Sequence, residues 1–175
     1  MTLKNRLLIT GSPHSGKSSA IRALSDIVPK VSNIYENAPH LAPEGVDPVM
    51  LDYGEMFIDE DRKLEIYATP GQRRFQFMWR TLARQAMGLI VMIDNRRPNP
   101  IADMHLYLEN FSEILDRRSI VVGVNYHDVP GGPPLDEFVA SMRPQGWLAP
   151  MIALDPRRKD ESLYLLSSLL THLAR

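Results

Sequence analysis

The chain reads as an α/β domain, with a mostly parallel sheet of about six strands flanked by helices. Two observations predict this. Apolar runs rich in Val, Ile and Leu recur without polar alternation, as in strands buried on both faces. Between them, apolar residues recur at helical spacing, so strand and helix alternate in the manner of parallel sheets with right-handed crossovers.

The elements follow in order. Residues 7–10 form a short strand that ends at Gly11. In 18–27, Ile21, Leu24 and Ile27 repeat at helical intervals. Residues 29–48 carry prolines at 29, 39, 43 and 48 and no periodicity. Proline fixes φ and cannot donate to a ladder, so this segment reads as a long loop, of a length that is usually functional or disordered. Residues 52–57 read as an extra strand paired with 63–68 through the polar turn 58–62, with Leu64, Ile66 and Ala68 inward. In 75–87, Phe75, Met78, Trp79, Leu82 and Met87 fall roughly on one side of a helix. That spacing favours a core position for Trp79 over a partner-facing one. Residues 88–94, 120–125 and 150–154 are further buried strands, and 104–115, 135–142 and 162–173 further helices.

Composition bounds the function. The 175 residues suit one domain over the whole of 1–175, large enough to bury a real core. With 20 Lys plus Arg against 21 Asp plus Glu, the net charge of -1 argues against a dedicated nucleic-acid binder. There are no cysteines, which excludes a disulfide scaffold, a cysteine nucleophile and Cys-based metal sites, and suits a reducing cytoplasm. The apolar run 7–9 is too short for a secretory segment, and nothing approaches the roughly 18 apolar residues of a membrane span. The expectation is a cytoplasmic protein with no integral membrane segment.

Gly11-Ser12-Pro13-His14-Ser15-Gly16-Lys17-Ser18 fits G-x-x-x-x-G-K-[ST], between a strand and a helix. That context aims backbone N–H groups and a helix N-terminus at phosphate. Ser12, Pro13, His14, Ser15, Gly16, Lys17, Ser18 and Ser19 are the expected contacts. Lys17 would reach the β- and γ-phosphates and the Ser18 hydroxyl would hold Mg²⁺. Pro13 brings no N–H to the cradle, and His14 reads as a loop side chain rather than a catalyst. A P-loop NTPase fold is the result, but this loop alone does not separate GTPase, ATPase and small-molecule kinase.

Three further motifs end strands, where ligands bind in open α/β sheets. They are Ala68-Thr69-Pro70-Gly71-Gln72, Asn125-Tyr126-His127-Asp128 and Leu154-Asp155-Pro156-Arg157. The order G-x-x-x-x-G-K-S, T-P-G-Q, N-x-x-D and a short loop before the last helix resembles the Ras-like small GTPases, over nearly the whole chain. Asp52-Tyr53-Gly54, the run from Thr69 to Phe75, Ile93-Asp94-Asn95 before Arg96-Arg97-Pro98, and Asp155-Pro156-Arg157 look like the bacterial branch, which includes the gliding-motility (MglA-type) and conservon-associated GTP-binding proteins.

The resemblance implies GTP/GDP and Mg²⁺ as cofactors and assigns roles by position. Gln72 matches the glutamine that orients the attacking water, and Gly71 the glycine whose N–H meets the γ-phosphate. Asp128 can accept from guanine N1–H and N2–H₂, a donor pair that adenine lacks. Asn125 would brace the loop and the base. Tyr126 stands where the family has a lysine along the base, and could stack on the base instead. Asp155, Pro156 and Arg157 form the second base loop. The family also implies a protein activator or effector of the roadblock type.

Four positions depart from the family pattern. Ala68 replaces an aspartate that backs the Mg²⁺ shell, Pro48 falls on the switch threonine, Pro156 replaces an alanine whose N–H reaches guanine O6, and Tyr126 replaces the lysine. Each affects a contact worth roughly 0.5–3 kcal/mol. Arg73, Arg74, Arg157 and Arg158 could supply charge in cis or be solvated. The leading expectation is a molecular switch with slow Mg²⁺-dependent GTP hydrolysis, stimulated by a partner. The alternatives are a catalytically degenerate nucleotide-binding scaffold or interaction module, and a P-loop small-molecule kinase.

Overall fold

A computed structural model describes residues 5–33, 50–71, 76–116 and 119–174. In chain order the elements are β1 (Arg6–Gly11), α1 (Lys17–Leu24), β2 (Lys30–Asn33), β3 (Met50–Phe57), β4 (Lys63–Ala68), α2 (Gln76–Gln85), β5 (Gly88–Asp94), α3 (Pro100–Ser112), β6 (Ile120–Asn125), α4 (Leu135–Met142), β7 (Met151–Ala153) and α5 (Lys159–Leu173). The sheet has seven strands in the order β2-β3-β4-β1-β5-β6-β7. It is parallel from β4 through β1, β5 and β6 to β7, and antiparallel at β2–β3 and β3–β4.

The continuous apolar runs are explained by two cores, one on each face. Leu8, Leu89, Val91 and Ile93 point to the face covered by α2, α3 and α4, around Trp79, Phe111 and Phe138. Their neighbours Leu7, Ile9, Ile90 and Met92 point to the face covered by α1 and α5, around Ile21, Leu24, Leu165 and Leu169. A strand alternates its side chains between faces, so a strand covered on both sides has no polar position. Fully burying each such side chain is worth about 1.5–3 kcal/mol.

Four expectations are corrected. The sheet has seven strands rather than about six, because residues 30–33, read as loop, form β2. Pro29 does not prevent this, since it lies just before the strand, where no ladder N–H is required of it. β2 pairs Lys30 with Tyr53 and Ser32 with Leu51. The rest of the proline-rich segment, including Pro39, Pro43 and Pro48, lies outside the described residues.

Second, α1 ends at Leu24, so Ile27 is not on the helix. Ser25 turns extended (φ -75, ψ 136) and its hydroxyl bonds Ile27 O at 2.8 Å, an alternative to continuing the helix. Third, α2 ends at Gln85, short of Met87. Fourth, α3 starts at Pro100, before the periodic stretch, because the Asn99 side chain accepts from the Ala102 N–H at 3.1 Å and Pro100 needs no helical donor. The β3–β4 hairpin over 58–62 is present as read, its turn closed by Asp59 accepting from the Asp61 and Arg62 N–H groups.

Among the described residues, no helix is long and apolar enough to cross a membrane.

Candidate functional site

The C-terminal ends of β1, β4, β6 and β7 meet at one edge of the sheet, and the sequence motifs converge there. The loop after β1 turns on Gly16, whose φ of 97 is the left-handed cap of α1 and suits a residue without a Cβ. His14 also has positive φ, at 63, and is exposed, as befits a loop side chain. The first N–H groups of a helix have no intrahelical acceptor, and no side chain caps them here. They are available to an anion.

Lys17 folds back over this loop. Its Nζ donates to Gly11 O at 3.0 Å and to Ser12 O at 2.7 Å. Burial pulls its pKa down to about 8, opposed by Asp52 and assisted by Arg97. A phosphate would supply the negative charge that this ammonium lacks.

Gly71 closes the other side. A Cβ there would lie 2.6 Å from Gly11 O and 2.8 Å from Lys17 Nζ, so only glycine can approach this closely. Tyr107 Oη anchors it by donating to Gly71 O at 2.9 Å. Gln72, Arg73 and Arg74 lie outside the described residues.

Ala68 has no carboxylate, but its neighbour on the next strand has. Asp52 is the register partner of Ala68, and the Ser18 hydroxyl donates to the Asp52 carboxylate. Lys17, Ser18, Asp52, Ala68, Thr69 and Gly71 bound a cavity of about 180 Å³. A hydroxyl and a carboxylate in contact beside this glycine-containing loop are hard-oxygen donors of the kind that would fit Mg²⁺, which is usually held by one or two carboxylates plus substrate phosphates. Sequence reasoning missed the Ser18–Asp52 contact, because only strand register carries Asp52 to Ser18.

The second motif pair forms a larger cavity of about 360 Å³, bordered by Gly16, Ser19, Tyr126, Asp128, Asp155 and Arg157. Asn125 ties it to the loop after β1: its Nδ2 donates to Ser15 O at 3.2 Å, and its Oδ1 accepts from the Tyr126 N–H at 2.8 Å. Tyr126 is held at a φ of 59, unusual for a residue with a Cβ. Asp128 is exposed at the cavity wall and free to accept from a ligand edge.

The loop after β7 offers no free backbone donor. The Asp155 N–H goes to Glu161 Oε2 at 2.7 Å, Pro156 has none, Arg157 N–H goes to Asp155 Oδ1 at 3.0 Å, and Arg158 N–H goes to Asp155 O at 3.0 Å. The Arg157 guanidinium also grips the Asp155 carboxylate, at 2.7 Å from Nη2 to Oδ2, and holds its pKa down to about 2. Arg158 pairs with Asp160 and Glu161. Pro156 packs toward Gly16, its Cγ 2.4 Å from where a Cβ would stand.

No protein-family model matches the chain. The chain is similar to intraflagellar transport protein 22 of Chlamydomonas reinhardtii, at 24% identity over 131 residues, covering 73% of this chain and 65% of that protein. It is also similar to an uncharacterized protein, MJ1339, of Methanocaldococcus jannaschii, at 25% identity over 119 residues, covering 68% of this chain and 66% of that one. The matched regions thus span just under two thirds of either relative. Neither likeness reaches the bacterial branch.

Proposed function

We propose that the chain is a guanine-nucleotide-binding small GTPase with a P-loop, Ras-like fold, which holds GTP or GDP along this edge and acts as a switch. One observation carries the reading. The phosphate loop and the Asp128 cavity share Gly16 and Ser19 as a common border, so a phosphate chain and a base fit side by side. Ser12, Ser15, Gly16, Lys17 and Ser19 would hold the phosphates, with Ser18 and Asp52 the Mg²⁺. The metal supplies charge neutralisation at the phosphates. Asp128 would accept from N1–H and N2–H₂ of guanine. With every backbone donor of 155–158 committed or missing, base choice falls chiefly on Asp128.

Hydrolysis in this reading is slow and uses Gln72 to orient water, with a protein partner as activator or effector. The roadblock-type partner, the bacterial branch and a cytoplasmic location rest on the sequence resemblance. The likeness to intraflagellar transport protein 22 supports the small-GTPase class alone.

A second reading is a nucleotide-binding scaffold without turnover. It is favoured by the spent donors of the 155–158 loop and by Pro48 at the position of the switch threonine.

The test is to denature purified protein, identify any released nucleotide, and follow GTP and ATP turnover with Mg²⁺ for wild type and Gln72→Leu. Released GDP, with slow GTP turnover lost in the variant, supports the switch. Bound guanine nucleotide without turnover, with or without candidate activators, supports the scaffold. No guanine nucleotide bound at any concentration overturns both.

A further inference from the structure

The Asp128 cavity has a wall whose construction the proposed function does not use. Arg96, in the loop after β5, places its guanidinium over the Tyr126 ring, 3.4 Å from the centroid. Arg96 is itself held in a fork by Asp94, with Nε to Oδ1 at 3.0 Å and Nη2 to Oδ2 at 2.9 Å. Asp94 is buried at the end of β5, and its own N–H donates to Ser12 Oγ of the phosphate loop at 3.1 Å. The Asp94 carboxylate also accepts the Arg96 backbone N–H at 3.0 Å. The guanidinium is exposed but tethered to the buried carboxylate at the strand end.

Tyr126 borders the cavity, whereas Arg96 does not. The arginine lies over one face of the ring, and Tyr126 itself lines the cavity. The left-handed backbone of Tyr126 is held in place by Asn125 Oδ1, so the ring is presented at some conformational cost. A cation over one face of an aromatic ring restricts the ring to one orientation. A fixed ring in a cavity wall offers a stacking surface for another planar ring.

We propose that Tyr126, backed by Arg96, is the stacking surface for the purine ring of the bound nucleotide, and that Arg96 is a positioning residue acting through Tyr126. This rests on the nucleotide-binding reading above. Stacking is tolerant of base identity because every base has a π-face, whereas the carboxylate of Asp128 distinguishes bases by their donors. Loss of the stack must therefore weaken different purine nucleotides equally.

The test measures affinity and dissociation rate for fluorescent GDP and for IDP, whose base lacks the 2-amino group, on the full chain. Tyr126→Phe should stay within about twofold of wild type, and Tyr126→Leu should weaken both nucleotides about tenfold with the GDP/IDP ratio unchanged. Arg96→Ala should weaken both by about three- to tenfold, Arg96→Lys by less, and Arg96→Ala should add nothing in the Tyr126→Leu background. Circular dichroism and thermal melting check that each variant is folded; should Arg96→Ala not fold, Arg96→Lys and Arg96→Gln carry the same comparison. Equal affinity of the Arg96 variants and wild type, additive effects with Tyr126→Leu, or a changed GDP/IDP ratio would overturn the proposal while leaving nucleotide binding intact. A wild-type chain that binds neither nucleotide overturns the nucleotide reading and this proposal with it.

Discussion

Asp52 and Ser18 are 34 residues apart in the chain, yet the hydroxyl of Ser18 donates directly to the carboxylate of Asp52. Register puts them there: Asp52 stands opposite Ala68 on the adjacent strand, and so restores a carboxylate to a strand end whose own residue has none.

Under the proposed function, this relationship predicts how Mg²⁺ would control nucleotide release. In wild type, chelation of Mg²⁺ should accelerate GDP dissociation about tenfold or more, since metal and phosphate share the site. In Asp52→Ala the rate should already be fast and change less than about threefold on chelation. Stopped-flow release of fluorescent GDP with and without EDTA reads this; an Asp52→Ala protein with the wild-type response would remove Asp52 from the metal site.

Base choice should respond to Asp128. Asn in its place offers one acceptor and one donor, matching the N1–H and 2-oxo groups of xanthine better than the N1–H and 2-amino groups of guanine. Asp128→Asn should lower GDP affinity at least about tenfold and raise that for XDP, a swap set by unpaired polar groups. Competition binding with GDP, XDP and ADP measures it, and an unchanged order of affinities would mean that the base is read elsewhere.

Trp79 makes a stability prediction. It is fully buried, 4.8 Å from Tyr107 and 5.9 Å from Phe111 between ring centroids. Trp79→Ala should cost about 3–5 kcal/mol, as expected for a large side chain removed from a core. Trp79→Phe should cost much less, because the indole Nε1 has no hydrogen-bond partner among the described residues and its loss leaves nothing unpaired. Urea unfolding of the three proteins tests the order.

Acid should spare the Asp155–Arg157 pair. Arg157 holds the folded carboxyl at about 2, below its ordinary 3.8. A depressed carboxylate pKa contributes stability that is present above the ordinary value and lost as pH falls through the folded one, between roughly 4 and 2 here. Arg157 is 79% exposed and Asp155 33% exposed, so solvent screens the pair and this contribution is small. Carbon-13 NMR titration of the Asp155 carboxyl should show a midpoint well below 3.8 that returns to the ordinary range in Arg157→Ala; a normal midpoint in wild type would show that the pair does not persist in solution.

Much of this was legible in the residues alone. Alternating strands and helices, the 58–62 hairpin turn, the core position of Trp79, and a glycine turn between β1 and α1 all rest on periodicity and turn chemistry. These are properties of near neighbours, so the sequence by itself determined them. The strand β2 was not legible, because four residues at a sheet edge beside a proline carry almost no periodic signal and exist only through pairing with β3. The contacts of Asp52 and Arg96 were equally hidden. An isolated aspartate in a strand and an arginine in a loop look like solvated charges until register and packing bring them to Ser18 and Tyr126. Those contacts join residues about 30 positions apart. Tertiary structure alone decided them, because strand register and helix packing are set by summed burial over whole elements rather than by any one residue's neighbours.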